Sequence, residues 1–508
     1  MELTKKDLIH SDIFKSPILA ILKCSSLVKF GKNKRGNSIY PCQPVKYGLP
    51  VFRVASKNKD RKDKIVLIQY LDWDKNLPKG SIIDIIGNYD DIDSKQKALI
   101  NYYNIKPNKP KIKNIQISND IKYIDKTNLE IFSIDPPNCK DIDDAMSCEI
   151  NENIITVGIH IADVTRYLNK KLITEKLINQ TSSLYPYNKN PINLWGEKIT
   201  KLASLFPNKV RTSISLFFSI IDNKIQTVEL QFLKIKSSNA FSYTEANTLT
   251  NIYKPLKDLI KVTNLLNNKE ITNTKELVSY WMIQANKWIV IKMKEMRLPV
   301  IYRKHEETNI LSTDIPIKIF DSIKYRWMKG AKYTLNESKH YGLGITGYTH
   351  FTSPIRRIAD TCIHWIIKNK ENLLNDNKLL KLNYLENKIK KYHRQQSIIE
   401  VLDIMKSDEI LEAFVLDFDI NCKIEIYLLK YDKFIKTYLF DRSIINNINI
   451  KIDSKLNLTN LLTNESYSLI KWSKINIKIR KIKSFLPKNQ FSINIMDDKI
   501  NKWFTLKY

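Results

Sequence analysis

Glycine is missing from the whole of residues 348–508; the last one is Gly347. Small β-barrels normally place glycine at their tight bends, so asparagine is expected to serve those turns. Cysteine is scarce and scattered. Cys24, Cys42, Cys139, Cys148, Cys362 and Cys422 form no C-x-x-C pair, and no histidine stands at the spacing of a zinc set. That excludes a disulfide scaffold and a zinc ribbon, and reads as reduced, intracellular thiols. No run approaches the roughly 18 apolar residues that cross a bilayer, and "MELTKKDLIHSD" lacks the apolar centre of a secretory signal. A soluble intracellular protein is expected, in nucleus or cytoplasm rather than an organelle lumen. Acidic residues are outnumbered, 53 against 83 basic ones, for a formal charge of +30. A field of that sign attracts polyanions, such as nucleic acid or an acidic membrane surface. The abundance of Lys, Asn and Ile that an AT-rich genome produces is a second source of the excess.

What is present is enough for two or three domains: 508 residues, 43% of them hydrophobic. Residues 1–39 read as a polar, basic extension around one apolar patch, "SPILAILKC". Over 40–110, "LPVFRV", "DKIVLIQYLDW" and "GSIIDIIGNYDD" are short β-rich runs parted by Gly, Pro and Asp, the pattern of a small barrel. "NIKPNKPKIKN", 104–114, reads as a linker. Over 111–408, strand-like runs ("IITVGIHIADV", "RTSISLFFSIID", "VELQFLKI") give way to longer helical patterns such as "KELVSYWMIQANKWIVIKMKEM", which together predict one large α/β domain. Residues 409–508 return to strands. In "SKINIKIRKIK", Ile475, Ile477 and Ile479 share one face, while Lys474, Lys478 and Arg480 share the other. That basic face is either solvated or turned toward RNA. The predicted class is a multidomain α+β protein: small barrel, large α/β domain, C-terminal barrel-like domain.

The densest chemistry is in "SIDPPNCKDIDDA", residues 133–145, which brings Asp135, Asp141, Asp143 and Asp144 within ten positions. Two prolines stop helix formation there and favour a turn. Carboxylates so close repel one another unless a cation or protons intervene, and hard oxygen donors suit Mg2+ or Mn2+. An EF-hand is excluded, because Met146 stands where that loop needs glycine and Ala145 where it needs a ligand. An Asp-rich turn or cap is the plainer alternative.

"GYTHFTSPIRRIADTCIHWIIKNK", 347–370, predicts a buried amphipathic helix with Ser353 as N-cap and Pro354 in its first turn. Arg356 and Arg357 then carry the wrong sign for the positive end of a helix dipole, which an anion would reverse. Pairing of Arg356 with Asp360 is the alternative, worth only about 0.2–0.5 kcal/mol. Carboxylates able to hold divalent ions opposite a cationic phosphate site make the kit for two-metal phosphodiester hydrolysis.

These stretches, with "VGIHIADVTRYL", "LPVIYRKHE" and "HYGLGITGYTHFTSPIRRIAD", resemble the successive motifs of the ribonuclease II (RNB) family of exoribonucleases over about residues 129–405. "YPCQPVKYGLPVFRV" and "IVLIQYLDWDKNLPKGSIIDIIGNYDD" are similar to the second cold-shock domain of the exosome's catalytic exoribonuclease subunit, and 409–508 fits the family's closing OB-like domain in position and strand pattern. The resemblance implies Mg2+-dependent hydrolysis, with Mn2+ as the alternative ion, of single-stranded RNA from its 3′ end to nucleoside 5′-monophosphates, with exosome subunits as candidate partners and no membrane or small-molecule cofactor. Asp135 and Asp144 would hold the first ion, Asp141 and Asp143 would complete the second site with Asp143 nearest the attacking water, and Arg356 would meet the scissile phosphate. Tyr348, Thr349 and His350 would shape the pocket, with Arg357 beside them; Tyr302 or Tyr185 would stack on a base; core packing is the alternative for these. Glu400 in "HRQQSIIEVLD" is matched to a late active-site carboxylate, against a solvated helical face. Ala240 and Arg166 depart from the family pattern. The resemblance begins at the second cold-shock region, so the subunit's endonuclease domain is expected to be absent. An inactive RNA-binding scaffold and a stand-alone bacterial or organellar ribonuclease II remain the alternatives.

Overall fold

The computed structural model describes residues 12–73, 76–107, 117, 121–267, 270–307, 315–316, 319–320, 330–439 and 447–497. Most of the expected linker, from residue 108 onward, lies outside them.

Five short strands close a barrel in the order β1-β2-β3-β5-β4: β1 Ile18–Leu22, β2 Ser38–Pro44, β3 Phe52–Ser56, β4 Lys64–Asp72 and β5 Lys79–Asn88. β1 pairs with both β2 and β4 and so closes the ring. The residues expected to form an extension therefore supply a barrel strand, and a boundary at residue 40 cuts the barrel open. The reason is burial on both sides: Ala20 and Leu22 enter the barrel core with Phe14 and Phe52, while Ile21 enters a second core outside it. Phe14 stacks on Tyr70 at 4.5 Å.

The central domain is built on a seven-stranded sheet, order β12-β7-β8-β9-β10-β11-β6. Its strands are β6 Ile124–Asp125, β7 Phe132–Asp135, β8 Asp144–Asn151, β9 Ile154–Ala162, β10 Val210–Ile221, β11 Lys224–Lys236 and β12 Asn239–Ser242. The long hydrophobic runs of β9 and β10 are buried because the helices Thr274–Glu295 and Ile358–Asn369 join them in one core, around Trp281, Ile289, Ile358 and Ile363. His160 sits in that sheet with Nε2 3.0 Å from Ser147 Oγ and Nδ1 2.9 Å from Ser215 Oγ. Gly158 makes room for it: a Cβ there would lie 2.7 Å from the imidazole Nε2. Burial holds His160 down to about 3, far under its ordinary value. Because the unfolded chain then binds the extra proton, this group's contribution is complete above about pH 6.5 and is lost progressively toward pH 3, by about 2 kcal/mol at pH 5. Melting curves of His160→Gln between pH 7 and 5 should lose that part of the acid sensitivity.

Among the described residues, eight strands enclose the C-terminal core. Five form one sheet, β19-β18-β17-β23-β24, and three form another, β20-β21-β22. They are β17 Glu409–Phe418, β18 Lys423–Leu428, β19 Lys433–Tyr438, β20 Ile448–Ile452, β21 Lys455–Asn460, β22 Ser466–Ile470, β23 Lys474–Lys481 and β24 Phe491–Ile495. The result is a curled, OB-like sheet whose halves share one core. Turns without glycine are made by left-handed residues: Asp408, Cys422, Asp432, Asn464 and Trp472 all have φ between 49° and 70°. Only one of them is asparagine, so aspartate, cysteine and tryptophan carry the rest. The same substitution of function ends the Ile358–Asn369 helix, where Lys370 is the left-handed cap at φ 57° and its N–H donates to Ile366 O. Replacing it by glycine removes a Cβ penalty of about 1 kcal/mol, so Lys370→Gly should raise the melting midpoint by a degree or more.

The barrel, the central domain and the C-terminal domain meet in a further core of Ile21, Ile65, Leu99, Leu184, Tyr392 and Phe485. Gln96 reinforces it, donating to Gln396 Oε1 at 3.0 Å and to Tyr187 O at 2.9 Å. Among the described residues, no helix is long and apolar enough to cross a membrane.

Candidate active site

Asp135 ends β7 and Asp144 begins β8. Between them Pro136, Pro137 and Asn138 make a reverse turn, with the Cys139 N–H donating to Pro136 O and Asn138 at φ 59°, the pattern of a type II turn with proline before its left-handed residue. The turn folds Asp141 and Asp143 back beside Asp135 and Asp144. All four carboxylates line one cavity of about 750 Å³, together with Tyr185, Tyr243, Tyr348, His350, Arg356 and Arg357.

Asp143 is almost wholly buried and both its oxygens are engaged. Oδ1 accepts the Ile355 N–H at 2.7 Å, and Oδ2 faces Arg356 Nε at 3.2 Å. Asp141 accepts the Tyr185 hydroxyl at 2.6 Å. Asp135 Oδ2 is buried without any partner. Burial, then the nearby Asp141 charge, raises the Asp135 carboxyl above the usual carboxylate range; burial, then Asp135, does the same to Asp144. Asp143 is raised well above it by burial, with Arg356 opposing. Each shift reports a negative charge short of compensation.

Arg356 and Arg357 do not stand in the first turn of a helix, as the sequence predicted. Residues 353–357 form a single turn, with the Arg357 N–H donating to Ser353 O, and the helix starts at Ile358. Hydrogen bonds to a neighbouring segment account for the delay: the Ser183 N–H donates to Arg356 O and the Ile358 N–H to Thr181 O, which pulls Arg357 into an extended conformation. Asp360 pairs with Arg357, at 2.8 Å, rather than with Arg356, and also accepts the Ser353 N–H. Arg356 is thereby left to Asp143 and to Ser353 Oγ, at 2.9 Å.

The other expected contacts divide. Tyr185, Tyr348, His350 and Arg357 are brought to the cavity. His350 accepts or donates at Nδ1 with Tyr333 Oη, 2.8 Å away, and Tyr348 Oη accepts from Asn286 Nδ2 at 3.0 Å. Thr349 is buried beside them, its hydroxyl bonded to Ile301 O. Tyr302 is packed in the main core. Glu400 points to the C-terminal domain, 3.5 Å from Lys433 Nζ. On β23, Ile477 and Ile479 are buried as their alternation requires, but Lys474 pairs with Glu412, and Lys478 and Arg480 with Asp408. Asn286, Tyr333 and Tyr243 were not singled out in the sequence; Asn286, at helical spacing from Met282, Val290 and Met293, is the one whose polarity on an apolar helix face signals a buried task.

Among the described residues, no group of three His, Cys, Asp or Glu side chains stands ready as a metal cage. The donor set nevertheless suits a hard divalent ion: four carboxylates on one cavity, one of them with an orphaned buried oxygen.

A chain with this sheet, this barrel and this acid–arginine cavity has the architecture of an RNA-degrading nuclease of the RNB class. Residues 123–269 and 254–373 match the RNB domain, and residues 40–104 match the Dis3-like cold-shock domain 2. The chain belongs to the ribonuclease II (RNB) family. Ribonuclease R of Mycoplasmopsis pulmonis is 28% identical over 394 residues, 61% of this chain and 52% of that protein. The exosome complex exonuclease RRP44 of Mus musculus is 23% identical over 420 residues, 64% of this chain and 44% of the relative. This chain thus spans about half the length of these relatives. Among solved structures, the apo form of Mycoplasma genitalium RNase R shares the fold with a TM-score of 0.75 at 19% identity, covering 95% of this chain and 90% of the other. Yeast Ssd1, a pseudonuclease, shares it at 0.65 and 12% identity, covering 90% and 82%.

Proposed function

We propose that this chain is a magnesium-dependent 3′-to-5′ exoribonuclease that hydrolyses single-stranded RNA to nucleoside 5′-monophosphates. The observation that carries the reading is the convergence of Asp135, Asp141, Asp143, Asp144 and Arg356 on one cavity, from segments more than 200 residues apart. Asp135 and Asp144 on one side, and Asp141 and Asp143 on the other, would hold Mg2+ or Mn2+, which supplies charge neutralisation and a water acidic enough to attack phosphorus. Arg356, aimed by Ser353 Oγ and by its own backbone bridge, offers a fixed cation where negative charge grows on the phosphoryl oxygens. The exposed ring of Tyr185 offers a base a stacking surface.

The direct test is digestion of 5′-labelled single-stranded RNA by the wild-type chain and by Asp143→Asn, each with Mg2+ and with EDTA. A ladder that shortens from the 3′ end only for wild type with Mg2+ supports the reading. A second reading, an RNA-binding pseudoenzyme, is favoured by the engagement of both Asp143 oxygens and the lack of a ready cage; RNA bound by both proteins and cut by neither would select it. The match of residues 40–104 supports an exosome-type role in RNA trimming and decay. Co-purification of the tagged chain with exosome ring subunits tests that role, and recovery of the chain alone would assign it to stand-alone enzymes.

A further inference from the structure

Asp141 is held differently from the other three carboxylates. Its Oδ2 accepts the Tyr185 hydroxyl at 2.6 Å and its Oδ1 lies 3.5 Å from Cys139 Sγ, so one oxygen has a strong protein donor and the other a weak one. Tyr185 is itself anchored. Its N–H donates to His393 Nε2 at 3.3 Å, its ring lies 5.7 Å from the His393 ring, and it follows the segment that is hydrogen-bonded to Arg356 and Ile358. Yet the residue keeps 37% of its surface exposed and lines the cavity. One side chain therefore presents a ring to the space an RNA end would fill and a hydroxyl to a carboxylate that would hold an ion.

We propose that Tyr185 is a positioning residue for Asp141 and makes metal binding and docking of the RNA 3′ end mutually reinforcing. The proposal rests on the reading of this cavity as a metal-dependent nuclease site. A base stacked on the ring holds the side chain in this χ1 rotamer and so keeps the hydroxyl on Asp141 Oδ2, which orients that carboxylate's remaining lone pairs toward the cavity. By linkage, whatever factor RNA adds to metal affinity, metal adds to RNA affinity. Loss of a residue that orients a ligand typically lowers metal affinity 10- to 100-fold.

The test uses the full chain, Mn2+ followed by its electron paramagnetic resonance signal, and a 2′-O-methylated single-stranded RNA. Wild type is expected to bind Mn2+ more tightly when the RNA is present. Tyr185→Phe is expected to bind Mn2+ about 10-fold more weakly, to lose the enhancement by RNA, and to bind RNA in EDTA within about twofold of wild type because the ring remains. Cys139→Ala, which removes the weaker donor, is expected to cost only about two- to threefold. Equal Mn2+ affinity and equal enhancement in wild type and Tyr185→Phe would overturn the proposal while leaving the nuclease reading intact; no Mn2+ bound by wild type would overturn both. Melting curves accompany each variant, and Tyr185→Trp, which keeps a stacking ring without that hydroxyl, repeats the measurement if Tyr185→Phe unfolds early. Mn2+ and RNA affinities that fall together with the melting midpoint in both variants would mean a structural residue only.

Discussion

Asp143→Asn should lower the rate of RNA shortening by about 1,000-fold or more while leaving RNA binding in EDTA unchanged. The substitution is small in volume and severe in charge. An amide oxygen can still accept the Ile355 N–H, so the loop after Ser353 keeps its anchor. The amide nitrogen, however, then faces Arg356 Nε, donor against donor, and no negative charge remains there for a divalent ion. Putting a donor where Arg356 meets an acceptor should also lower the stability of the metal-free protein by about 1–3 kcal/mol, the loss expected when the same pair is broken from the arginine side. Single-turnover digestion with Mg2+, paired with fluorescence anisotropy in EDTA, measures the two effects separately. Parallel loss of binding and cleavage would show that Asp143 chiefly supports the shape of the cavity.

Arg356→Ala should reduce kcat by about 100- to 1,000-fold, the usual cost of removing one transition-state donor, and raise KM by only a few fold. Equal changes in both would reduce its role to phosphate affinity. A second effect follows from the Arg356–Asp143 pair. Without metal, Asp143 would keep only the Ile355 N–H, so the metal-free variant should be less stable than wild type by about 1–3 kcal/mol. The arginine side chain is 45% exposed, which keeps the loss under that of a fully buried pair. Conversely, Mn2+ no longer competes with a guanidinium for Asp143 Oδ2, so the variant should bind Mn2+ more tightly than wild type in the absence of RNA. Opposite signs for turnover and metal affinity in one variant are a strong signature; a weakened Mn2+ affinity would show that Arg356 helps to build the ion site.

The four aspartates were legible because two prolines and a tight turn collect them locally, and local chemistry is what a motif displays. The strands β9, β10, β11 and β23 were legible because period and composition agree there. Partners across the chain were not. Which arginine takes Asp360 depends on a bridge to residues 181–183, and nothing in "SPIRRIAD" announces that bridge, so the helix reads as starting at Ser353 instead of Ile358. β1 was hidden because five apolar residues in a basic surrounding look like a patch until β2 and β4 flank them. Glu400 and Tyr302 fit family positions in sequence, but helix phase turns the first toward Lys433 and packing draws the second into the core. The glycine-free turns show the same limit from another side, since left-handed conformations at Cys422 and Trp472 are imposed by the strands they join, against the residues' own preference.

The core made by Ile21, Ile65, Leu99, Leu184, Tyr392 and Phe485 decides how the domains come apart. Large apolar contacts between domains suppress hinge motion, so the N-terminal barrel is cemented to the central and C-terminal domains and shares their fate on unfolding. Variants that loosen this junction should therefore unfold in two steps, the barrel parting from the rest before either melts, where the intact chain melts as one.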